Sequence, residues 1–197
     1  MEDRADGLSW YEHIPVEHFY DSRHREHVCR FAGDKDLPAI LQMYQTYTPK
    51  KGILGLPPAD PESLDKWVRR FFAGERKNIV VMDPDGTVIG HAAVIPTDTE
   101  SCEYFMALLP TEQHAGVGCL LMESVIETVR YMNKRRLWIV VDRQNIPVIR
   151  LHRRRGFEFR GEATDGDVEM ELILSPSGRD GDRADGKPKG RRNSSGR

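Results

Sequence analysis

Cysteine is scarce in this chain of 197 residues: three, at positions 29, 102 and 119, with no two close together. That excludes a disulfide framework and a Cys-x-x-Cys metal site, and it suits a reducing cytoplasm. Long apolar runs are missing as well; none approaches the roughly 18 residues of a membrane-crossing helix. The opening MEDRADGLSWYEH has neither a basic start nor an apolar centre, so no secretory signal is expected. His24, His27 and Cys29 are the nearest approach to a metal cluster. They lack a fourth ligand at a sensible spacing, and no metal is expected.

What is present bounds the fold. A hydrophobic content of 39% with 8% aromatics suffices for one core, while 30% charge and a mean hydropathy of -0.57 point to polar ends. The net charge of -2 is unevenly spread. Residues 175–197 carry seven Lys/Arg against three Asp, leaving 22 basic and 28 acidic residues in 1–174. An acidic body favours cationic substrates and argues against nucleic acid as a partner. The tail is almost devoid of apolar residues and is expected to be disordered.

The chain is organised around Leu108 to Cys119, LLPTEQHAGVGC. An apolar run stops at Pro110, a polar turn follows, and then a long amphipathic pattern begins. Val117, Leu120, Leu121, Ser124, Val125, Thr128, Val129 and Met132 recur at steps of three and four, with Glu123, Glu127, Arg130 and Asn133 opposite. This is a strand, a glycine loop and a helix. Backbone N–H groups at a helix start have no intrahelical partner and favour an anion, and Gly116 and Gly118 let a phosphate come close. The loop lacks the Gly-Lys-Ser/Thr ending of a nucleoside-triphosphate loop. It also lacks the third glycine and the later acidic residue of a dinucleotide fold.

Gln113, Gly116 and Gly118 resemble the Gln/Arg-x-x-Gly-x-Gly/Ala acyl-CoA loop of the GNAT-type N-acetyltransferases, and Leu108-Leu109-Pro110 is similar to the strand end that precedes it. A second segment, NIPVIRLHRRRGF at 145–157, resembles the family's Asn…Leu-Tyr-x-x-x-Gly-Phe signature through Asn145, Leu151, Gly156 and Phe157. His152 stands where that signature has tyrosine. Read physically, Asn145 caps a short helix, Pro147 fits its first turn and Gly156 ends it. The expected fold is a single α/β (α+β) domain over 28–174, between an N-terminal extension (1–27) and the basic tail (175–197). A mixed sheet flanked by helices is expected, in the order β-α-α-β-β-β-α-β-α-β-β. Strands are predicted over 28–32, 78–83, 87–95, 100–109, 136–141, 157–161 and 168–174. Helices are predicted over 36–47, from 61 to about 74, from about 117 to 132 and over 145–155. Asp83-Pro84-Asp85-Gly86 and Asp165-Gly166 read as turns.

The resemblance implies acetyl-CoA as cosubstrate and a primary amine, of a small molecule or a protein lysine, as acceptor in a ternary complex. It implies cofactor contacts from Leu108, Leu109, Gln113, His114, Ala115, Gly116, Val117, Gly118, Cys119 and Asn145. Loop amides from about Ala115 to Leu120 would take the diphosphate, and the amide of Leu108 or Leu109 the acyl oxygen. A lysine-like amine with a pKa of about 10.4 is neutral in about one part in a few thousand at pH 7, so proton removal needs help. Glu103, ten residues before Gln113, resembles the base of protein-lysine acetyltransferases in this family, with Glu100 the second candidate. His152 is the candidate acid for the leaving thiolate, with four arginines (150, 153, 154, 155) expected to crowd it and disfavour its charged form. The Gly-Leu-Pro-Pro stretch within 48–60 is a candidate lid. Two other readings stand beside the enzyme: a silent acyl-CoA-binding sensor, suggested by the missing tyrosine, and a nucleic-acid-associated protein using its tail. A homodimer is left open.

Overall fold

The computed structural model describes residues 17–48, 57–162 and 166–175. Gly55 and Leu56 of the candidate Gly-Leu-Pro-Pro lid, Asp165 of the last turn, most of the N-terminal extension and the tail beyond Ser175 lie outside the described residues. An eight-stranded sheet runs in the order β1-β2-β3-β4-β5-β6-β8-β7. Its strands are β1 (Glu17–Tyr20), β2 (Glu26–Ala32), β3 (Lys77–Met82), β4 (Val88–Pro96), β5 (Ser101–Leu108), β6 (Arg136–Asp142), β7 (Glu158–Glu162) and β8 (Asp167–Ile173). Every neighbouring pair is antiparallel except β5 and β6. The helices are α1 (Leu37–Thr46), α2 (Pro61–Arg69), α3 (Val117–Tyr131) and α4 (Ile146–Arg154).

Local chemistry sets these boundaries. Asp60 caps α2 by accepting from the Ser63 amide at 2.7 Å, and Pro61 follows at the first helical position. Leu64 and Val68 turn inward, while Glu62–Lys66 and Asp65–Arg69 pair at i,i+4 on the solvent side. The β3–β4 turn is held by Asp83, whose carboxylate accepts from the amides of Asp85 and Thr87. Gly86 supplies the positive φ (+80°) that the turn requires. In α3 Val117, Leu121, Val125, Thr128 and Val129 of the predicted apolar face are buried, Leu120 and Ser124 are half-buried, and Glu123, Glu127 and Arg130 are exposed.

The sheet divides the core in two. Cys102, Tyr104 and Leu108 of β5 join α3 and Ile149 of α4 on one face. Ala107 and Phe105 join α1 and α2 on the other. Side chains alternate along a strand, so Glu103 lies on the α1–α2 face. The expected element order holds, with one strand added at its start. Glu17–Tyr20, placed by the sequence reading in an extension, pairs antiparallel with β2, so the sheet begins before residue 28.

Candidate active site

β5 and β6 pair over three positions only: Ser101 with Arg136, Cys102 with Leu137 and Glu103 with Trp138. Beyond Glu103 the strands part. From Tyr104 to Leu108, β5 therefore has a ladder edge towards β6 that no strand among the described residues fills. The register with β4 decides which amides face that gap. Leu109 donates its N–H to Ile89 O at 2.9 Å, so 109/89 is a hydrogen-bonded pair and its neighbour 108/90 is not. The N–H of Leu108, and by the same alternation that of Met106, point into the gap. Of the two amides expected to meet an acyl oxygen, that of Leu108 faces the gap and that of Leu109 is engaged. No sequence motif marks Met106; only the pairing register brings it out.

The glycine loop lies beyond the end of β5. Gly116, with φ +92°, is the N-cap of α3, and His114 also has a positive φ (+62°). The amides of Cys119 and Leu120 already bond to Gly116 O, at 3.0 and 3.3 Å. Those from His114 to Gly118 have no partner among the described residues. The expected anion site therefore contracts to the turn itself, with the amides of Cys119 and Leu120 used within the helix. A Cβ on Gly118 would lie 3.8 Å from Leu108 and 3.9 Å from Leu151, which places this glycine between β5 and α4. Gln113 is exposed, and its amide bonds to Pro110 O. Asn145 uses its side-chain oxygen to cap α4, 3.4 Å from the Val148 amide. The free amides and the unfilled edge are what a diphosphate and an amide-bearing arm require.

Glu103 is the last paired residue before the gap, half-buried between Ile95 of β4 and Trp138 of β6. Burial raises its pKa above the ordinary glutamate value, and the nearby positive charge of Arg76 opposes that shift. Its carboxylate has no hydrogen bond or ion pair among the described residues. Glu100 is exposed and pairs with Arg135 at 3.6 Å, away from the gap.

His152 does not fit the role of acid. It is fully buried. Its Nδ1–H donates to Val148 O at 2.7 Å, because a carbonyl can only accept. Nε2 must then accept, and it accepts a hydrogen bond from the Tyr104 hydroxyl. Burial lowers its pKa, so the ring is neutral with both nitrogens engaged. The arginines do not crowd it: Arg150, Arg153 and Arg154 are exposed, and the shift comes from desolvation. As placed, His152 has no proton to offer a thiolate. Instead it ties Tyr104 of β5 to α4.

The other face carries a second such pair. Tyr44 donates to His91 Nδ1 at 2.7 Å; His91 Nε2–H donates to Asn78 Oδ1 at 3.0 Å; Asn78 Nδ2–H donates to Phe71 O at 2.8 Å. Burial drives the His91 pKa down to about 3. Around it Trp67, Phe71 and Phe105 pack edge-on and stacked, with centroids 4.9–5.3 Å apart. Burial also pushes the thiols of Cys29 and Cys102 up to about 11, so neither is a nucleophile at neutral pH. Among the described residues no His/Cys/Asp/Glu group could hold a metal, and no helix is long and apolar enough to cross a membrane.

These features can be set beside known proteins. The profile of the acetyltransferase (GNAT) family matches residues 37–157. An L-methionine sulfoximine/L-methionine sulfone acetyltransferase of Pseudomonas paraeruginosa is 28% identical over 142 residues, which span 68% of this chain and 81% of that protein. The GNAT domain of S. lividans PAT superposes with a TM-score of 0.71 at 19% identity, over 81% of this chain and 97% of that one. The structure of yncA from Salmonella typhimurium with its cofactor acetyl-CoA gives 0.62 at 21% identity, over 76% and 94%. The gap, the loop and the family match agree: the chain belongs to the acetyltransferase (GNAT) family, an acyltransferase whose cosubstrate is acetyl-CoA and whose acceptor is an amine.

Proposed function

We propose that this enzyme acetylates the amino group of a small, amino-acid-like molecule by direct attack within a ternary complex. The observation that carries this reading is Glu103 at the vertex of the gap, on the sheet face opposite α3 and α4. In this reading the amides from His114 to Gly118 hold the diphosphate. The free edge of β5 lines up the arm, and the N–H of Met106 or Leu108 meets the thioester carbonyl in the plane of the sheet. The α1–α2 face is then left for the amine. Glu103 takes a proton from the ammonium, directly or through one water, and the freed lone pair attacks the carbonyl carbon. The tetrahedral oxyanion is held by the β5 amide. The C–S bond breaks, the nitrogen loses its second proton, and the thiolate takes a proton from solvent.

Two observations favour an amino-acid-like acceptor over a protein lysine. Arg76, whose Nη1–H donates to the Arg70 carbonyl, places a guanidinium charge within electrostatic reach of Glu103, and its remaining N–H groups could meet an acceptor carboxylate beside a base for its amine. The Pseudomonas relative carries a name that specifies two amino-acid derivatives. Thiol release from acetyl-CoA, followed across amino acids, methionine sulfoximine, polyamines and lysine peptides, tests the proposal. Turnover is expected with the amino-acid class. Turnover confined to lysine peptides or polyamines would sink it.

A further inference from the structure

The cosubstrate loop is held from behind by a part of the chain outside the family match. Between β1 and β2, residues 21–25 form a tight turn built on Asp21, whose side chain is fully buried. Its carboxylate accepts from the amides of Arg23 (2.8 Å) and Arg25 (2.9 Å), from the Arg25 guanidinium (2.7 and 2.9 Å) and from His27 Nε2 (3.1 Å). Burial would raise the pKa of Asp21, but these hydrogen bonds together hold it well below the usual carboxylate range. The turn is rigid because one charge organises it.

From this turn three contacts reach the loop. Arg23 donates to Thr111 O (3.1 Å) and Gln113 O (3.2 Å), and the Ser22 amide donates to Ala115 O (2.9 Å). Arg25 adds an ion pair to Glu112. Alternate carbonyls of the loop, at 111, 113 and 115, are thus drawn to the hairpin side. The amides from His114 to Gly118 are left without partners. A loop whose carbonyls are tied down loses less entropy on binding and cannot turn an oxygen towards an incoming phosphate.

We infer that the β1–β2 turn presets the acetyl-CoA loop, with Asp21 organising the turn and Arg23 as the positioning residue that clamps the loop's carbonyls. The inference rests on the reading that the loop binds the diphosphate, and the test separates the two. Calorimetry with CoA is run on the wild type, Arg23→Ala, Arg23→Lys and Gly118→Asp. Aspartate in the first turn of α3 suits the helix, yet repels a phosphate. Gly118→Asp is expected to abolish binding while still melting cooperatively, although its side chain sits near Leu108 and Leu151. If it binds CoA like the wild type, the loop reading falls and the clamp with it. Arg23→Ala is expected to weaken CoA about tenfold and to raise the KM for acetyl-CoA in proportion. The acceptor KM and kcat at saturating acetyl-CoA should stay within twofold. Arg23→Lys, with one point charge for two carbonyls, should recover part of the loss. Amide exchange over 110–118 should quicken in ligand-free Arg23→Ala, a readout independent of activity. If Gly118→Asp abolishes binding while Arg23→Ala leaves both CoA affinity and exchange unchanged, the clamp alone is overturned.

Discussion

In the proposed reading the two faces of the sheet recognise their ligands by different means. On the face of α3 and α4, and in the plane of the gap, the groups offered are backbone: amides of the glycine turn and of alternate residues of β5. On the face of α1 and α2 they are side chains: Glu103, Arg76 and a wall of aromatic rings that includes Trp67 and Phe105. Each face also buries a tyrosine hydroxyl on a neutral histidine, Tyr104 on His152 and Tyr44 on His91. Backbone recognition survives changes of side chain and suits a cosubstrate common to many enzymes. Side-chain recognition can be rewritten residue by residue, which suits an acceptor that differs from one enzyme to the next.

That contrast can be broken or sharpened by substitution. The largest effect is expected at Glu103. Glu103→Gln should lower kcat/KM by about 10²- to 10³-fold, a general base's usual contribution, with the KM for acetyl-CoA unmoved. The wild-type acid limb should reflect a pKa above the ordinary glutamate value, and that limb should vanish in the variant. A carboxyl whose folded pKa is raised loses stability as pH rises through that value. Glu103→Gln should therefore melt no lower than the wild type at pH 7, whereas a structural carboxylate would leave it less stable.

A smaller effect concerns His91. Its folded pKa of about 3 lies below the unfolded value of about 6.5, so its share of stability is present above pH 6.5 and lost as pH falls towards 3. Denaturant titrations at pH 7 and pH 5 should differ by about 2 kcal/mol from this group. His91→Gln should remove that part of the slope. An unchanged slope would show that the α1–α2 face does not bury a neutral imidazole. The smallest expected change is at Arg76. Arg76→Ala should raise the KM of acceptors bearing a carboxylate about tenfold, by loss of a charged hydrogen bond, and leave carboxylate-free amines alone. Equal losses for both acceptor classes would remove the argument for an amino-acid-like substrate.

Much of the cofactor side was legible in the sequence, because its devices are local. Gly116 and Gly118 sit beside a 3.6-residue apolar period, and Asn145, Pro147 and Gly156 punctuate one short helix. Such signals lie within a few residues of one another. What escaped depends on register or on distant partners. Leu108 and Leu109 are distinguished only by their pairing with β4. His152 reads as a donor because nothing in the sequence shows that the hydroxyl of Tyr104, 48 positions earlier, donates a hydrogen bond to it. β1 is four residues, EHFY, mostly exposed and without an alternating pattern; pairing with β2, rather than propensity, makes it a strand. Asp21 reads as an ordinary turn aspartate until the fold closes around it.

The parting of β5 and β6 has a thermal consequence. A sheet interrupted at Glu103 is short of one run of inter-strand hydrogen bonds, and the pantetheine amides are fit to supply them. In the proposed pose acetyl-CoA is then a structural member as well as a reactant. By mass action a ligand at a hundred times its Kd adds about 2.7 kcal/mol to the folded state. The enzyme should accordingly melt at a temperature that tracks the supply of its own acyl donor.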